Sequence, residues 1–182
     1  QMYVTGGIGS TVLGEAFTVD YDLPNATVYA ETCASIGLIF FARRMFQLEA
    51  KGEYADVMER ALYNTVLAGM QLDGKRFFYC NPLEVVPGIS GKAATQRHVD
   101  PQRPAWYACA CCPPNVARLL SSIGSYAYGE GEKAFFIHLY LGGAVKSSQG
   151  WSLSCETDYP GQGTARFTFH GQAEGALAFH IP

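Results

Sequence analysis

Glu31 and Cys33 set a carboxyl group and a thiol two residues apart, and Cys109, Cys111 and Cys112 gather three more thiols far downstream. Thiolate sulfur and carboxylate oxygen are donors that zinc accepts in tetrahedral sites. In an extended or turn conformation leading into a helix, Glu31 and Cys33 can face one point. Cys112 closes the set from a distant loop, and Cys111 is either the fourth ligand or a reactive group beside the metal. The C-x2-C spacing of structural zinc sites is absent. A structural zinc or thiol-binding module that performs no reaction stays open at this point, as does a chance set of buried thiols. Cys80 and Cys155 have no partner in sequence and are expected as small buried hydrophobes.

A metal-tuned thiolate at Cys111 could act as a covalent nucleophile, because the thiolate is the attacking form. Expelling an alkoxide also needs a proton donor. Glu15, in the turn-like Gly14-Glu15-Ala16-Phe17 stretch, could serve as the acid/base of a two-step displacement. A Cys–His peptidase pairing with His98 competes, but no protease-like flanks surround the cysteines.

The chain has 182 residues, 48% hydrophobic and 16% charged, which suits a soluble globular protein of one core or parts of two. Its net charge of -3, with no basic run among 13 Lys and Arg, gives no electrostatic case for nucleic acid or an anionic membrane. A neutral substrate such as a sugar fits that balance better, and a homo-oligomer is left open. The longest apolar run, Ile36 to Ala42, falls far short of the ~20 residues that span a bilayer. No secretory leader is readable at the start. The six cysteines crowd into clusters, and adjacent Cys111 and Cys112 cannot pair without a strained ring. Reduced, metal-binding thiols in a cytoplasm are therefore expected.

The elements that must position these groups follow from periodicity. Residues 1–30 carry turn chemistry without a sustained period and read as a long functional loop. Helical spacing predicts a helix from Thr32 to about Leu48 and another from Glu53 to Met70, joined by a turn at Lys51-Gly52. Phe77-Phe78-Tyr79 reads as a strand before a proline-marked loop. A third helix is expected to start at Pro113 or Pro114, where proline is tolerated in the first turn. Cys111 and Cys112 would then lie just before a helix N-terminus, a location expected to lower thiol pKa. Beyond about residue 130 the runs Ala134–Tyr140, Trp151–Glu156, Ala165–Phe169 and Ala176–Ile181 are β-like. Paired helices with chemistry on their end loops indicate a helical barrel, and the closing strands a sandwich.

Thr5-Gly6-Gly7-Ile8-Gly9-Ser10, Gly14-Glu15-Ala16-Phe17, Asp20-Tyr21-Asp22-Leu23-Pro24-Asn25, Glu31-Thr32-Cys33-Ala34-Ser35 and Cys109-Ala110-Cys111-Cys112-Pro113 together resemble the β-L-arabinofuranosidases of glycoside hydrolase family 127. The likeness runs over essentially the whole chain. It implies a zinc-dependent retaining exo-hydrolase releasing terminal β-L-arabinofuranose. The implied fold is an (α/α)6 barrel followed by β-sandwich domains. By position, Cys111 resembles the nucleophile and Glu15 the acid/base, while Glu31, Cys33 and Cys112 resemble zinc ligands together with Cys111. Tyr79 matches a tyrosine lining the family's sugar site, although its apolar neighbours equally suit a core aromatic. Members of the family are several times longer, with sugar-binding histidines upstream. The resemblance thus implies an internal fragment. Residues 1–130 would be the C-terminal half of the barrel, and residues 131–182 the beginning of a sandwich.

Overall fold

A computed structural model describes residues 1–182, which divide into two compact units, residues 1–121 and residues 122–182. In the first unit, helix α1 covers Thr32–Leu48, and α2, Gly52–Arg60, runs on through a π-helical turn at Ala61–Val66 into the short α3, Leu67–Gly69. Helix α4 covers Cys112–Ser121. Residues 1–30 are turns and bends, and Gly52 begins α2 rather than belonging to the linking turn.

Helix α1 buries Ser35, Ile36, Ile39 and Ala42, which recur every three or four residues and so form one stripe. That stripe packs on α2 and the π turn, which bury Ala55, Met58, Leu62 and Val66, and α1 also packs on α4. Burying each of the larger ones, Ile36, Ile39, Met58, Leu62 and Val66, contributes about 1.5–3 kcal/mol, so packing rather than capping holds these helices. Indeed Glu31, the N-cap of α1, makes no side-chain cap. Its carboxylate is thereby left for other partners.

The first loop lies directly on the π turn. Thr65 Oγ1 donates to the Thr5 carbonyl at 2.6 Å. A Cβ at Gly6 would fall 2.5 Å from Ala61 Cα, and Gly6 has φ +80°. Only glycine meets both conditions. Gly6→Ala is expected to cost about 3 kcal/mol from left-handed strain plus overpacking against backbone that cannot yield. A lower urea midpoint with unchanged slope would register it.

The Phe77-Phe78-Tyr79 segment is not a strand. Phe77 makes one isolated bridge, to Met70, and the adjoining Cys80 another, to Glu31, because the backbone here ties to one loop carbonyl and to helix ends rather than to a ladder. The Phe77 N–H donates to the Pro104 carbonyl, and Phe78 N–H to Gly69. Thr32 closes the arrangement, its N–H donating to the Tyr79 carbonyl and its hydroxyl to that of Phe78, each at 2.9 Å. These bonds seat the start of α1 on the segment carrying Tyr79.

The second unit opens with the short α5, Gly124–Ala127, and helix gives way to strand at Tyr128. Strands β1 (Tyr128–Glu130), β2 (Ala134–Ile137) and β6 (Ala176–Phe179) form one sheet in the order β1-β2-β6, antiparallel then parallel. Strands β3 (Gly143–Lys146), β4 (Ser152–Thr157) and β5 (Ala165–His170) form an antiparallel meander. Phe135, Ile137, Trp151 and Leu153 make the core of this unit, with Phe135 and Trp151 edge to face at 4.8 Å between centroids. Cys155 is buried on the same alternation as Leu153, as expected for a small apolar residue.

Candidate active site

Glu31, Cys33, Cys111 and Cys112 bring one ligand atom each into a cluster in which all lie within 4.8 Å of one another. Two helix starts deliver them. Cys33 sits in the first turn of α1, while Cys112 is the first residue of α4 and Cys111 precedes it. The Cys111 carbonyl accepts the Asn115 N–H at 3.3 Å, the first helical bond of α4. Pro113 and Pro114 occupy first-turn positions whose N–H groups would have no intrahelical partner anyway. Cys33 Sγ and Cys111 Sγ each lie 3.7 Å from Cys112 Sγ, and Cys111 Sγ lies 3.5 Å from Glu31 Oε1. All six cysteines are free. The arrangement could hold a metal ion through four residues of which Glu31 and Cys112 are buried.

Around this cluster stands a layer that the sequence did not announce. Asn115 Nδ2 donates to Cys33 Sγ at 3.0 Å, and Asn115 Oδ1 accepts from Arg118 Nη2 at 2.7 Å. Tyr29, only 3% exposed, donates its hydroxyl to Glu31 Oε2 at 2.9 Å. The same hydroxyl is within hydrogen-bonding reach of Glu15 and of Tyr79. Tyr79 in turn reaches the Cys111 thiol. Its ring meets Tyr107 at 5.6 Å and Tyr29 at 6.4 Å between centroids, so an aromatic wall flanks the thiols. An apolar cavity of about 270 Å³, lined by Phe77, Phe78, Cys112, Val116 and Leu120, borders the other side.

Glu15 sits in a tight turn closed by the bridge between Thr11 and Ala16. It is exposed and has φ 51°, a left-handed conformation continued from Gly14 at φ 72°. Such a backbone is uncommon for a residue with a Cβ. Its carboxyl group is near enough to act on the Tyr29 hydroxyl, which links it to the cluster.

Ionisation runs against the sequence-based expectation of thiols lowered by a helix start. Burial pushes the Cys111 thiol up, and its contact with Cys33 adds to this. Burial likewise raises Cys112, beside the charges Cys33 and Cys111 would carry. Crowded thiols cannot all ionise without a compensating cation, and a helix end alone does not outweigh that repulsion. Tyr29 and Tyr79 are both raised, chiefly by burial, and act as phenols rather than phenolates.

The remaining candidates separate cleanly. Cys109 is exposed and lies outside the cluster, whereas Cys80 is 4% exposed and its thiol is raised by burial. His98 does not pair with a cysteine: Nε2 donates to the carbonyls of Thr27 and Val28 at 3.2 and 3.1 Å. It therefore braces the segment leading into Tyr29, which removes the support for a Cys–His dyad. The signal for Tyr29 was its position two residues before Glu31. Nothing in the sequence flags Asn115 beyond its place one turn after Cys111.

Residues 1–125 match the family described as Beta-L-arabinofuranosidase, GH127 catalytic domain. The chain is 45% identical over 171 residues to a non-reducing end beta-L-arabinofuranosidase of Bifidobacterium longum subsp. longum, covering 92% of this chain and 26% of that protein. Among solved structures it resembles a GH127 beta-L-arabinofuranosidase from Geobacillus stearothermophilus T6, with 55% identity and a TM-score of 0.87 over 93% of this chain and 27% of the other. It also resembles a GH127 beta-arabinofuranosidase with 38% identity and a TM-score of 0.86, over 100% of this chain and 27% of that one. The chain thus spans about a quarter of the length of these relatives.

Proposed function

The chain belongs to the GH127 β-L-arabinofuranosidase catalytic-domain family, and from that membership we propose that its intact protein is a zinc-dependent retaining glycosidase releasing terminal β-L-arabinofuranose. In this reading residues 1–130 are the C-terminal half of an (α/α)6 barrel and residues 131–182 open a β-sandwich. Glu31, Cys33, Cys111 and Cys112 hold the zinc, Cys111 is the nucleophile, Glu15 the acid/base, and Tyr79 lines the sugar site.

The observation that carries the metal reading is the spacing of the donors. A tetrahedral zinc with Zn–S of about 2.3 Å has S–S edges of about 3.8 Å, and with Zn–O of about 2.0–2.1 Å its S–O edge is about 3.5 Å. Three of the six edges fit: Cys112 Sγ lies 3.7 Å from both Cys33 Sγ and Cys111 Sγ, and Cys111 Sγ lies 3.5 Å from Glu31 Oε1, with every donor within 4.8 Å of the others. Donor chemistry agrees, since soft thiolates with one carboxylate select zinc over hard cations such as magnesium or calcium. When bound, zinc supplies the positive charge that keeps the crowded thiols ionised at neutral pH.

The reaction of these side chains is a double displacement. The Cys111 thiolate attacks the anomeric carbon, forming a C–S bond as the C–O bond to the aglycone breaks. Glu15 gives its proton to the departing oxygen. A water molecule then adds to the same carbon while Glu15 takes its proton, and the C–S bond breaks to return the thiolate. Two inversions leave the configuration retained. The exposed Glu15 suits a group that meets leaving group and water in turn.

Metal analysis of the intact protein, combined with hydrolysis of an aryl β-L-arabinofuranoside followed by NMR, tests this reading. About one zinc per chain and a first-formed β-configured sugar are expected. Absence of zinc, or an inverted product, would overturn it. A general acid matters in proportion to how badly the departing oxygen needs a proton. Glu15→Gln should therefore abolish most turnover of alkyl or disaccharide substrates while sparing the first step on nitrophenyl ones, with zinc retained. Equal losses on both leaving groups in pre-steady-state bursts would exclude Glu15 from the acid role.

A further inference from the structure

A buried tyrosine usually finds a partner for its hydroxyl, and Tyr3 finds a backbone one, donating to the Pro24 carbonyl at 3.2 Å. Tyr29 does something different. Its single proton goes to Glu31 Oε2 at 2.9 Å, and the hydroxyl also reaches Glu15 and Tyr79. The two oxygens of Glu31 are thus divided: Oε2 faces Tyr29, while Oε1 faces the Cys111 sulfur at 3.5 Å. We propose that Tyr29 is a positioning residue that holds Glu31 to one-oxygen ligation of the metal, an inference resting on the metal reading above.

The physical case is a count of donors. Three thiolates and one carboxylate oxygen complete a tetrahedron. A carboxylate free to offer both oxygens would raise the coordination number to five and displace the thiolates from the edges they now occupy. An O–H donor on the second oxygen prevents this and fixes the rotation of the carboxyl group, as outer hydrogen-bond partners do for metal ligands generally.

The backbone is built to keep the two side chains together. Ala30, between them, is fully buried and has φ 38°, a left-handed conformation costing an alanine about 1–2 kcal/mol. It is held there from both sides. Its N–H donates to the Gly9 carbonyl at 3.2 Å, and its carbonyl accepts from Asn81 N and Nδ2 at 3.2 and 2.9 Å. The ring of Tyr29 is pinned as well, since a Cβ at Gly9 would lie 3.3 Å from its Cδ1 and Tyr79 meets it edge on.

Tyr29→Phe in the intact protein keeps the ring and removes only the hydroxyl. Zinc affinity, measured by chelator competition, is expected to fall at least about 10-fold, within the range for lost partners of metal ligands. In the cobalt(II)-substituted variant, the strong visible bands of a four-coordinate thiolate site should weaken as Glu31 turns to offer both oxygens. A merely structural tyrosine would shift melting without moving those bands. Zinc affinity and cobalt bands both matching wild type would overturn the proposal. If Tyr29→Phe also lowers the melting temperature of the metal-free protein, a double-mutant cycle decides. Its effect on zinc affinity should vanish in a Glu31→Gln background, and persistence in full there would overturn the proposal too. Failure of the metal reading is visible separately, as a wild-type protein that takes up no stoichiometric zinc, and it takes this inference down with it.

Discussion

Cys111→Ser is expected to lower kcat/KM on aryl β-L-arabinofuranosides by on the order of 10⁴-fold, because a hydroxyl is far harder to ionise than a thiol and the substitution removes the attacking group. Serine nearly matches cysteine in size, and Cys111 is only partly buried, so folding should be largely preserved. Zinc content of the variant separates two causes of inactivity. Near-stoichiometric zinc with lost turnover assigns the loss to chemistry, whereas lost zinc assigns it to the site's assembly. A mechanism-based cyclitol or a haloacetamide-bearing sugar gives an independent readout. It should label Cys111, and labelling at Glu31 instead would make the carboxylate the nucleophile and leave the thiols as ligands only.

The second large effect is expected at Cys112, the most buried donor of the cluster at 1% exposed and the sulfur that lies 3.7 Å from both other thiols. Cys112→Ala deletes one donor of the proposed tetrahedron without adding bulk. Zinc should drop from about one per chain to well below it after dialysis. Because a ligand that binds only the folded state stabilises it by mass action, the wild-type protein should melt higher with zinc than after chelation. That gap should close in Cys112→Ala. An unchanged zinc content by mass spectrometry would show that Cys112 is not a ligand.

How far the sequence could be read depends on the length of the pattern. Helix α1 runs from Thr32 to Leu48, where the apolar spacing places it, because seventeen residues offer four turns of consistent periodicity. The short strands β1 and β3 leave no readable pattern: Tyr128–Glu130 and Gly143–Lys146 are too brief, and too rich in glycine, to establish an alternation. Phe77-Phe78-Tyr79 reads as a strand because aromatic residues favour strands, whereas here their rings serve a wall and their backbone bonds go to a loop and to the ends of α1 and α3. In the site, the metal-ligating types were visible as residue chemistry, and the structure brings Glu31, Cys33, Cys111 and Cys112 together. The supporting residues were not visible. Tyr29 and Asn115 are ordinary in composition and acquire a role only through Ala30's left-handed turn and the first turn of α4.

The donors come from two short stretches, and Cys33 and Cys112 are 79 residues apart along the chain. An ion shared between them would be a cross-link as much as a reagent. Closing a loop of that size removes about 4.5 kcal/mol of chain entropy from the unfolded ensemble in the simple polymer estimate, comparable to a long-range disulfide. The same atom would thus tie α1 to α4 and enclose every residue between them, Tyr79 and the whole aromatic wall included. Chelation should then be felt well beyond the four ligands. Amide hydrogen exchange across residues 34–110 would speed up together, and the helices and loops between the ligands would behave as one unit whose integrity is set by the free metal concentration.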